Sequence, residues 1–358
     1  MRTGADRPAG RARAGPCSQQ RPIWPFGLWL VAFYAAFCAG VAAYGLTSVV
    51  AAHWPIALAM VFGSYVAGST PLGGGSVAFP ILVLALGEPA TLGRSFAFAI
   101  QALGMSSAVL YLATVRRPVA GGILRWAVLG AAVSTPIGVT WLAPRVPELG
   151  VKLAFSVVWA AFGVMTLARL RELAAQDGML ALRPSAERGM GLLAGVVGGS
   201  IASVIGVGAE LVLYSLLVLR LRADPKLAIP TAVALTAFTS VVGLGTSALL
   251  AALDPLNVAG RAFPAGLWGH WLAAAPVVVV GAPLGALAVA RIPRTFTLAL
   301  VSVLCVAQLV WTCAQARLAA PAVVAVGGAV LGLVGLFQLL YARGRRSAGV
   351  ASAAGGLR

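Results

Sequence analysis

Apolar runs of about 20 residues, the length of a membrane-spanning helix, follow one another along almost the whole chain. They lie at about 27–50, 55–87, 92–115, 121–142, 148–169, 189–219, 226–251, 267–290, 295–313 and 319–341. Only 10% of the 358 residues are charged, whereas about a quarter are charged in a soluble domain. The runs are too continuous for the alternating strands of a membrane β-barrel. The sequence therefore predicts an all-α polytopic membrane protein without a soluble domain.

Two of the apolar runs, 55–87 and 189–219, are too long for a single crossing. As one helix, the first would measure about 50 Å, whereas the hydrocarbon core is about 30 Å thick. The middle of the first run reads "STPLGGGS" from Ser69, and the middle of the second reads "IGVGAE" from Ile205. Glycine permits the backbone angles of an irregular turn, and Pro71 ends the helix before it. We therefore expect each run to form two half-helices joined by a glycine-rich turn, as a re-entrant hairpin.

The two long runs also begin two similar halves of the chain. Residues 71–75 align with 206–210, and "SFAFAIQALGMSS" from Ser95 aligns with "TAVALTAFTSVV" from Thr231. Further on, "TPIGVTWLA" and "RVPELGVKLAF" align with "APLGALAVA" and "RIPRTFTLALV". Matches that keep one order and a nearly constant offset indicate an internal duplication.

This duplication divides the chain into segments. We expect a basic N-terminal tail (1–22), a flanking helix (27–50), a first half (55–169), a cytoplasmic loop (170–188), a second half (189–313), a second flanking helix (319–341) and a basic C-terminal tail (342–358). With three crossings beside each hairpin, the halves are inverted relative to one another. Inverted repeats with broken helices near the midplane are typical of transporters.

The net charge of +17 is best explained by membrane orientation, because basic residues concentrate in cytoplasmic loops and tails. If all ten runs cross, the 26 basic residues divide into 17 inside and 9 outside; with two re-entrant hairpins they divide into 21 and 5. The hairpins are therefore favoured, with eight crossings and both termini in the cytoplasm. Arg far outnumbers Lys, which suggests a GC-rich bacterial genome, and the expected location is therefore the bacterial inner membrane. The chain has no basic face interleaved with aromatic residues, so nucleic acid is not expected as a partner.

The glycine-rich turns are the candidate substrate site. Irregular backbone at membrane depth must face protein or a water-filled cavity, and a helix that starts there offers N–H donors to an anion. We expect Gly73, Gly74 and Gly75 to bind an anion through their amides, with a positive φ at Gly74. Ser69, Thr70 and Ser76 would add hydroxyl donors. Alternatively, the glycines only allow close helix packing.

Glu210 is the only carboxylate well inside an apolar run. Ionisable residues in such places are costly and often functional, so Glu210 would carry the coupling proton or pair with a cation, unless it is a structural residue bonded to nearby amides. Further polar residues would line a path or simply join helices: Gln101, Thr231, Thr236, Thr239 and Ser240. His53 and His270 fit interfacial positions at segment ends. The four cysteines lack metal-ligand spacing, so no metal or cofactor is expected.

The paired pattern resembles the TauE/SafE family of sulfite exporters and related anion permeases, over about 55–313. That family has two copies of a motif G-x-G-G-G followed by apolar residues and proline, then a helix that opens with Ser or Thr. The first copy here is Gly73–Pro80, with Pro71 in place of a glycine and Ser95 at the Ser/Thr position. The second copy includes Gly206, Gly208 and Glu210, with Thr231 at the Ser/Thr position. Glu210 replaces a glycine of the motif.

The resemblance implies a secondary transporter of a small inorganic or organosulfur anion, such as sulfite or an organosulfonate, in a lipid bilayer. The absence of a P-loop motif favours an ion gradient as the driving force, with the proton as a candidate coupling ion. A membrane-embedded enzyme, such as a lipid-modifying transferase, is disfavoured because no His/Asp or His/Glu pair lies at a membrane face. A scaffold protein has no need for two opposed hairpins.

Overall fold

The computed structural model describes residues 23–70, 72–176, 178–180, 182–254, 263–288 and 294–355. These residues form helices and no strand. The helices are α1 (Trp24–Ala43), α2 (Thr47–Ala52), α3 (Trp54–Ser69), α4 (Gly75–Pro80), α5 (Ala90–Thr114), α6 (Gly121–Ile137), α7 (Glu148–Ala168), α8 (Leu170–Ala174), α9 (Pro184–Ile205), α10 (Ala209–Ser215), α11 (Pro225–Leu253), α12 (Leu267–Ala288), α13 (Arg294–Gln315) and α14 (Ala320–Gly355). Turns of π-helix extend α4 (Ile81–Ala85), α6 (Gly138–Leu142) and α10 (Leu216–Arg220).

Within the described ranges, nine helices are long and apolar enough to cross a membrane: α1, α5, α6 with its extension, α7, α9, α11, α12, α13 and α14. The prediction of an all-helical polytopic membrane protein is therefore confirmed. The arms α3 and α4 are shorter apolar helices.

The two flanking helices differ from the predicted boundaries. The run 27–50 is divided into α1 and α2 by a turn in which Gly45 has a φ of 62°. Helix α14 continues through the expected basic tail as far as Gly355, where four of the last nine residues are alanine, the residue with the highest helix propensity. The N-terminal tail 1–22 lies outside the described residues.

The first long run folds back on itself. A Cβ at Gly63 of α3 would lie 3.2 Å from Val77 of α4, and a Cβ at Gly74 would lie 3.3 Å from that of Ala67. Val77 therefore contacts the earlier position Gly63, and Gly74 contacts the later position Ala67, so the chain returns antiparallel to α3. Both ends of this first hairpin meet His270, whose ring lies 4.5 Å from that of His53 and whose Nε2 lies 4.0 Å from Glu88 Oε1. We call this end the first mouth.

The second long run folds back in the same way. A Cβ at Gly198 of α9 would lie 3.0 Å from the Cα of Ala209 in α10. Its two ends are joined by backbone hydrogen bonds: Leu180 N donates to Leu221 O (2.9 Å) and Asp224 N to Gly178 O (2.6 Å). Although α9 is long enough to cross a membrane, the chain returns to the end from which it started. We call this end the second mouth.

Helix α7 places the two mouths at opposite ends of the bundle. At its start, Glu148 lines a cavity together with Gly87, which follows the first hairpin. Just beyond its end, the guanidinium of Arg169 lies over the ring of Tyr341 (5.1 Å), and Gly344 of the same helix α14 packs on the backbone of Arg220 at the second mouth. The two hairpins therefore enter the bundle from opposite ends.

The long arm of each hairpin packs on a helix of the other half. Helix α3 contacts α12, where a Cβ at Gly68 would overlap the carbonyl of Ala282; α9 contacts α6, where a Cβ at Gly195 would overlap the carbonyl of Ala127. Small residues permit this close approach of helices in membranes. The reciprocal packing holds the two turns deep inside the bundle.

Candidate functional site

The tips of the two hairpins meet in the interior. We define the first tip as Gly73–Gly75 and the second tip as Gly206–Glu210. A Cβ at Gly73 would overlap Glu210 Oε1, and a Cβ at Gly75 would overlap Val207 Cγ1. The residue numbers rise along one tip as they fall along the other, so the tips pass each other in antiparallel directions. Contact this close is possible only because the first tip has no side chains there.

Glu210 lies in the second tip with only 2% of its surface exposed. Its Oε2 accepts hydrogen bonds from the hydroxyl of Thr236 (2.8 Å) and from the amide of Gly208 (3.3 Å). Its Oε1 has no hydrogen-bond partner among the described residues. The carboxylate thus folds back onto the start of its own helix and occupies donors that an external anion would need.

Gln101 of α5 links the second tip to the first half and is 1% exposed. Its Nε2 donates to the carbonyls of Ala97 and Gly206, each at 3.0 Å. Because both acceptors are carbonyl oxygens, they fix which end of the amide is nitrogen. Its Oε1 has no partner in the described part of the chain and would lie 2.8 Å from a Cβ at Gly73.

The turn geometry corrects one expectation. The positive φ angles belong to Gly73 (69°), Gly206 (90°) and Gly208 (119°), whereas Gly74 has a φ of −68° and is right-handed. The expectation of a positive φ at Gly74 was therefore wrong. Gly74 is constrained by its close approach to Ala67 instead, because the turn reaches left-handed backbone one residue earlier.

The hydroxyl groups expected to bind an anion all donate to the backbone of their own segment. Ser69 and Thr70 donate to the carbonyl of Val66 (3.4 and 2.8 Å), and Ser76 donates to that of Gly73 (2.7 Å). The amides of residues 76, 77 and 78 likewise donate to carbonyls of the first tip. These hydroxyls and amides therefore satisfy the turn itself in this conformation.

The two Ser/Thr positions that follow the motif lie on α5 and α11. Ser95 is buried on α5, and Thr231 accepts from the amide of Ala120 (2.9 Å) and donates to Leu227 O (2.7 Å). Thr231 thus holds the start of α6, whereas Thr236, further along α11, contacts Glu210. The sequence indicated Gln101 and Thr236 only as polar residues in apolar helices, because periodicity does not show which of them reaches a tip.

The remaining polar residues fall into two groups. Thr239 donates to the carbonyl of Thr236 (3.1 Å), and Ser240 is buried beside it in sequence on α11. His53 and His270 lie at the first mouth, where Nδ1 of each ring is bonded to a backbone carbonyl of its own segment. Neither group reaches the tips directly. The expectation that no His/Glu pair lies at a membrane face was wrong, because the fold brings His270 Nε2 within 4.0 Å of Glu88 Oε1 at the first mouth, although the two residues are far apart in sequence. Within the described residues, no cluster of three or more His, Cys, Asp or Glu residues could hold a metal ion.

A cavity of about 60 Å³ opens beside the end of α3, on the side of the second mouth. Its lining includes Gly68, Arg117, Lys226, Pro230 and Ala286. Both cationic side chains are exposed, and in the described part of the chain neither has a carboxylate within salt-bridge distance. We call this space the cationic vestibule. It places two positive charges close to the end of α3, four residues before the tip turns.

Comparison with known families decides the identity of the fold. The family model described as "Sulfite exporter TauE/SafE" matches residues 56–311. The chain belongs to the TauE/SafE family. The match covers both hairpins and the helices between them, so the resemblance inferred from the two glycine-rich motifs is confirmed. No curated protein and no solved structure matches the chain. This TauE/SafE protein is therefore a multi-pass membrane protein of a transporter family whose substrates are small anions.

Proposed function

We propose that this protein is a secondary transporter that moves a small sulfur oxyanion, sulfite or an organosulfonate, across the bacterial inner membrane. The observation that carries the proposal is the meeting of two oppositely entering hairpins around one buried carboxylate with its donors. Broken helices that meet inside a bundle are the usual substrate sites of secondary transporters. The family supplies the substrate class, and the chain's own residues supply the site.

The proposed site lies between the tips, at the donors that Glu210 now occupies. The amide of Gly208 and the hydroxyl of Thr236 both point at Glu210 Oε2. An oxyanion has the same acceptor chemistry as a carboxylate, so it can accept from these donors once Glu210 moves away. The tips must also part to admit it, because Val207 and Gly75 are in contact here. We interpret this conformation as one closed to the substrate.

The cationic vestibule supports a route for an anion to the first tip. Arg117 and Lys226 place positive charge beside Gly68, and a cleft lined by charge of one sign concentrates ions of the opposite sign. The vestibule lies on the side of the second mouth, which the distribution of basic residues assigns to the cytoplasm. Export from the cytoplasm is therefore the proposed direction, with eight crossings and both termini cytoplasmic.

The proposed driving force is the proton gradient, with Glu210 as the coupling group. A charged carboxylate with an unpartnered oxygen is costly away from water, and protonation removes that charge. In the neutral state Glu210 no longer repels an anion and can release Gly208 and Thr236. Binding of the anion would thus follow uptake of a proton at the same tip.

The proposal is tested by flux into liposomes that contain the purified protein, with sulfite, an organosulfonate, sulfate and phosphate compared. We expect saturable uptake of a sulfur oxyanion that rises when a proton gradient is imposed. The test variant is Thr236→Val, which removes the donor hydroxyl and keeps the shape. Its matched control is Thr246→Val, whose hydroxyl bonds only within α11. Loss of one hydrogen bond to a charged group costs about 1.5–3 kcal/mol, so Thr236→Val should raise KM at least tenfold. Equal flux in empty liposomes would refute transport.

A further inference from the structure

The space above Gly73 is bordered by two acceptor oxygens that lack donors. Glu210 Oε1 overlaps the position that a Cβ at Gly73 would take, and Gln101 Oε1 lies 2.8 Å from the same position. Neither oxygen has a hydrogen-bond partner among the described residues. The two side chains come from different halves of the protein and are 2% and 1% exposed. Native proteins rarely leave two such atoms unsatisfied at one point.

Neither side chain can satisfy the other by turning its polar group around. Gln101 Nε2 is committed to the carbonyls of Ala97 and Gly206, so its oxygen must face Gly73. Glu210 Oε2 is committed to Thr236 and Gly208, so its other oxygen also faces Gly73. Two acceptors aimed at one point need a hydrogen-bond donor between them, and a proton bound to one of the two oxygens supplies it.

We propose that Glu210 and Gln101 form a proton-binding pair that joins the two tips. One proton from water adds to Glu210 Oε1, and the resulting O–H donates to Gln101 Oε1; no other bond changes. That single proton removes the buried charge and satisfies both acceptors. When the proton leaves, this bond is lost; while the proton stays, the same O–H can donate to an entering anion in place of Gln101 Oε1, which lets the tips part. The coupling role of the pair rests on the proposed function, whereas its binding of a proton does not.

The charged groups on the surrounding helices lie towards helix ends rather than at the tips. They are Arg94 on α5, Glu148 and Lys152 on α7, Glu187 and Arg188 on α9, Arg220 after α10 and Lys226 on α11. Of these, Arg94 contacts the second tip through its backbone, which packs on Gly206. None of them forms an ion pair with Glu210 in the described residues. The small cavity beside Gln101 and Gly74, about 10 Å³, has room for about one water molecule.

Gln101 is therefore a positioning residue, and its effect can be measured on the carboxyl group of Glu210. The experiment is infrared spectroscopy of the purified protein in lipid, titrated between about pH 5 and 8. The wild type should show the C=O band of a protonated carboxylic acid that Glu210→Gln removes. Gln101→Met should move that band to higher wavenumber and lower its titration midpoint by about one pH unit, because one hydrogen bond to the protonated form is lost.

Two controls keep the result decisive. The first control is Gln308→Met, which alters another buried glutamine, on α13. Like Gln101, Gln308 has one amide atom without a partner among the described residues, in its case Nε2. This variant should leave the band unchanged. If Gln101→Met does not purify, Glu210→Asp is the alternative variant. It withdraws the carboxyl from Gln101 and should move the band in the same direction.

Two results would overturn the proposal: no band of a protonated carboxylic acid at any pH, or a band that Gln101→Met leaves unchanged. Loss of the band on adding sodium would overturn it in favour of a metal-cation site. The spectra do not depend on transport, so failure of this proposal can be distinguished from failure of the proposed sulfite transport.

Discussion

The first tip presents three glycines and no ionisable group, whereas the second tip presents Glu210 among hydrogen-bond donors. Both are turns between helices that fold back, and both are followed by a π-helical extension. The two tips differ in what they contribute to the contact between them. The first tip provides space, since a Cβ at Gly73 would overlap Glu210 Oε1. The second tip provides the group that can change its charge. Two similar hairpins thus have complementary roles, so substitutions at the two tips should have different consequences.

The largest effect should come from filling the space at the first tip. In Gly75→Val the new Cβ would overlap Val207 and lie 2.9 Å from Gln101 Nε2 and 3.0 Å from the Cβ of Ala97. Overpacking costs about 1–3 kcal/mol and sometimes more, so we expect loss of flux and a lower unfolding temperature. The control is Gly245→Val on α11, where no atom lies within 4 Å of a Cβ. Wild-type flux in Gly75→Val would show that the tips do not meet as described.

The next effect should come from removing the charge at the second tip. Glu210→Gln keeps the shape but cannot titrate, so its flux should lose its pH dependence and no longer follow an imposed proton gradient. Glu210→Gly removes the carboxylate from Gly208 and Thr236 and should bind the anion more tightly, again without coupling. Initial rates in liposomes at several pH values would measure both. A Gln variant that keeps the wild-type rate and pH profile would exclude Glu210 as the coupling group.

The smallest effect should come from the cationic vestibule, which is exposed. Arg117→Gln with Lys226→Gln should raise KM about two- to fivefold at low salt with little change in maximal rate, because screened surface charges contribute about 1 kcal/mol or less. High salt should remove the difference. The control is Arg345→Gln with Arg346→Gln on α14, which removes the same charge elsewhere. An equal rise in KM in both double variants would mean that the vestibule has no special role.

The sequence predicted the helical membrane fold because long apolar runs have few other stable structures in a bilayer. The helix-breaking residues Pro71 and Gly206 also indicated where the chain turns, and the family match covers both positions. Two details could not be read from the pattern. Which glycine takes a positive φ depends on where the turn begins. Which threonine reaches Glu210 depends on the rotation of α11.

The hydroxyl groups on either side of the first tip show a further limit of sequence reasoning. Ser69, Thr70 and Ser76 are plausible anion donors by composition, yet each satisfies a carbonyl of its own segment. Short polar side chains readily form such local bonds, and a sequence does not show which bond is made. The Gln101 contact was equally hidden, because it joins residues 105 positions apart.

The central claim is that the two hairpins enter from opposite faces, and cysteine accessibility tests it most directly. Single cysteines would replace Tyr44 or Glu88 near the first mouth, and Glu172 or Arg222 near the second, in a protein lacking its four native cysteines. We expect an impermeant thiol reagent to label the first two only from outside the cell. The other two should be labelled only in inverted vesicles. Labelling of Glu88→Cys and Arg222→Cys from the same side, or of Glu172→Cys and Arg222→Cys from opposite sides, would contradict the account.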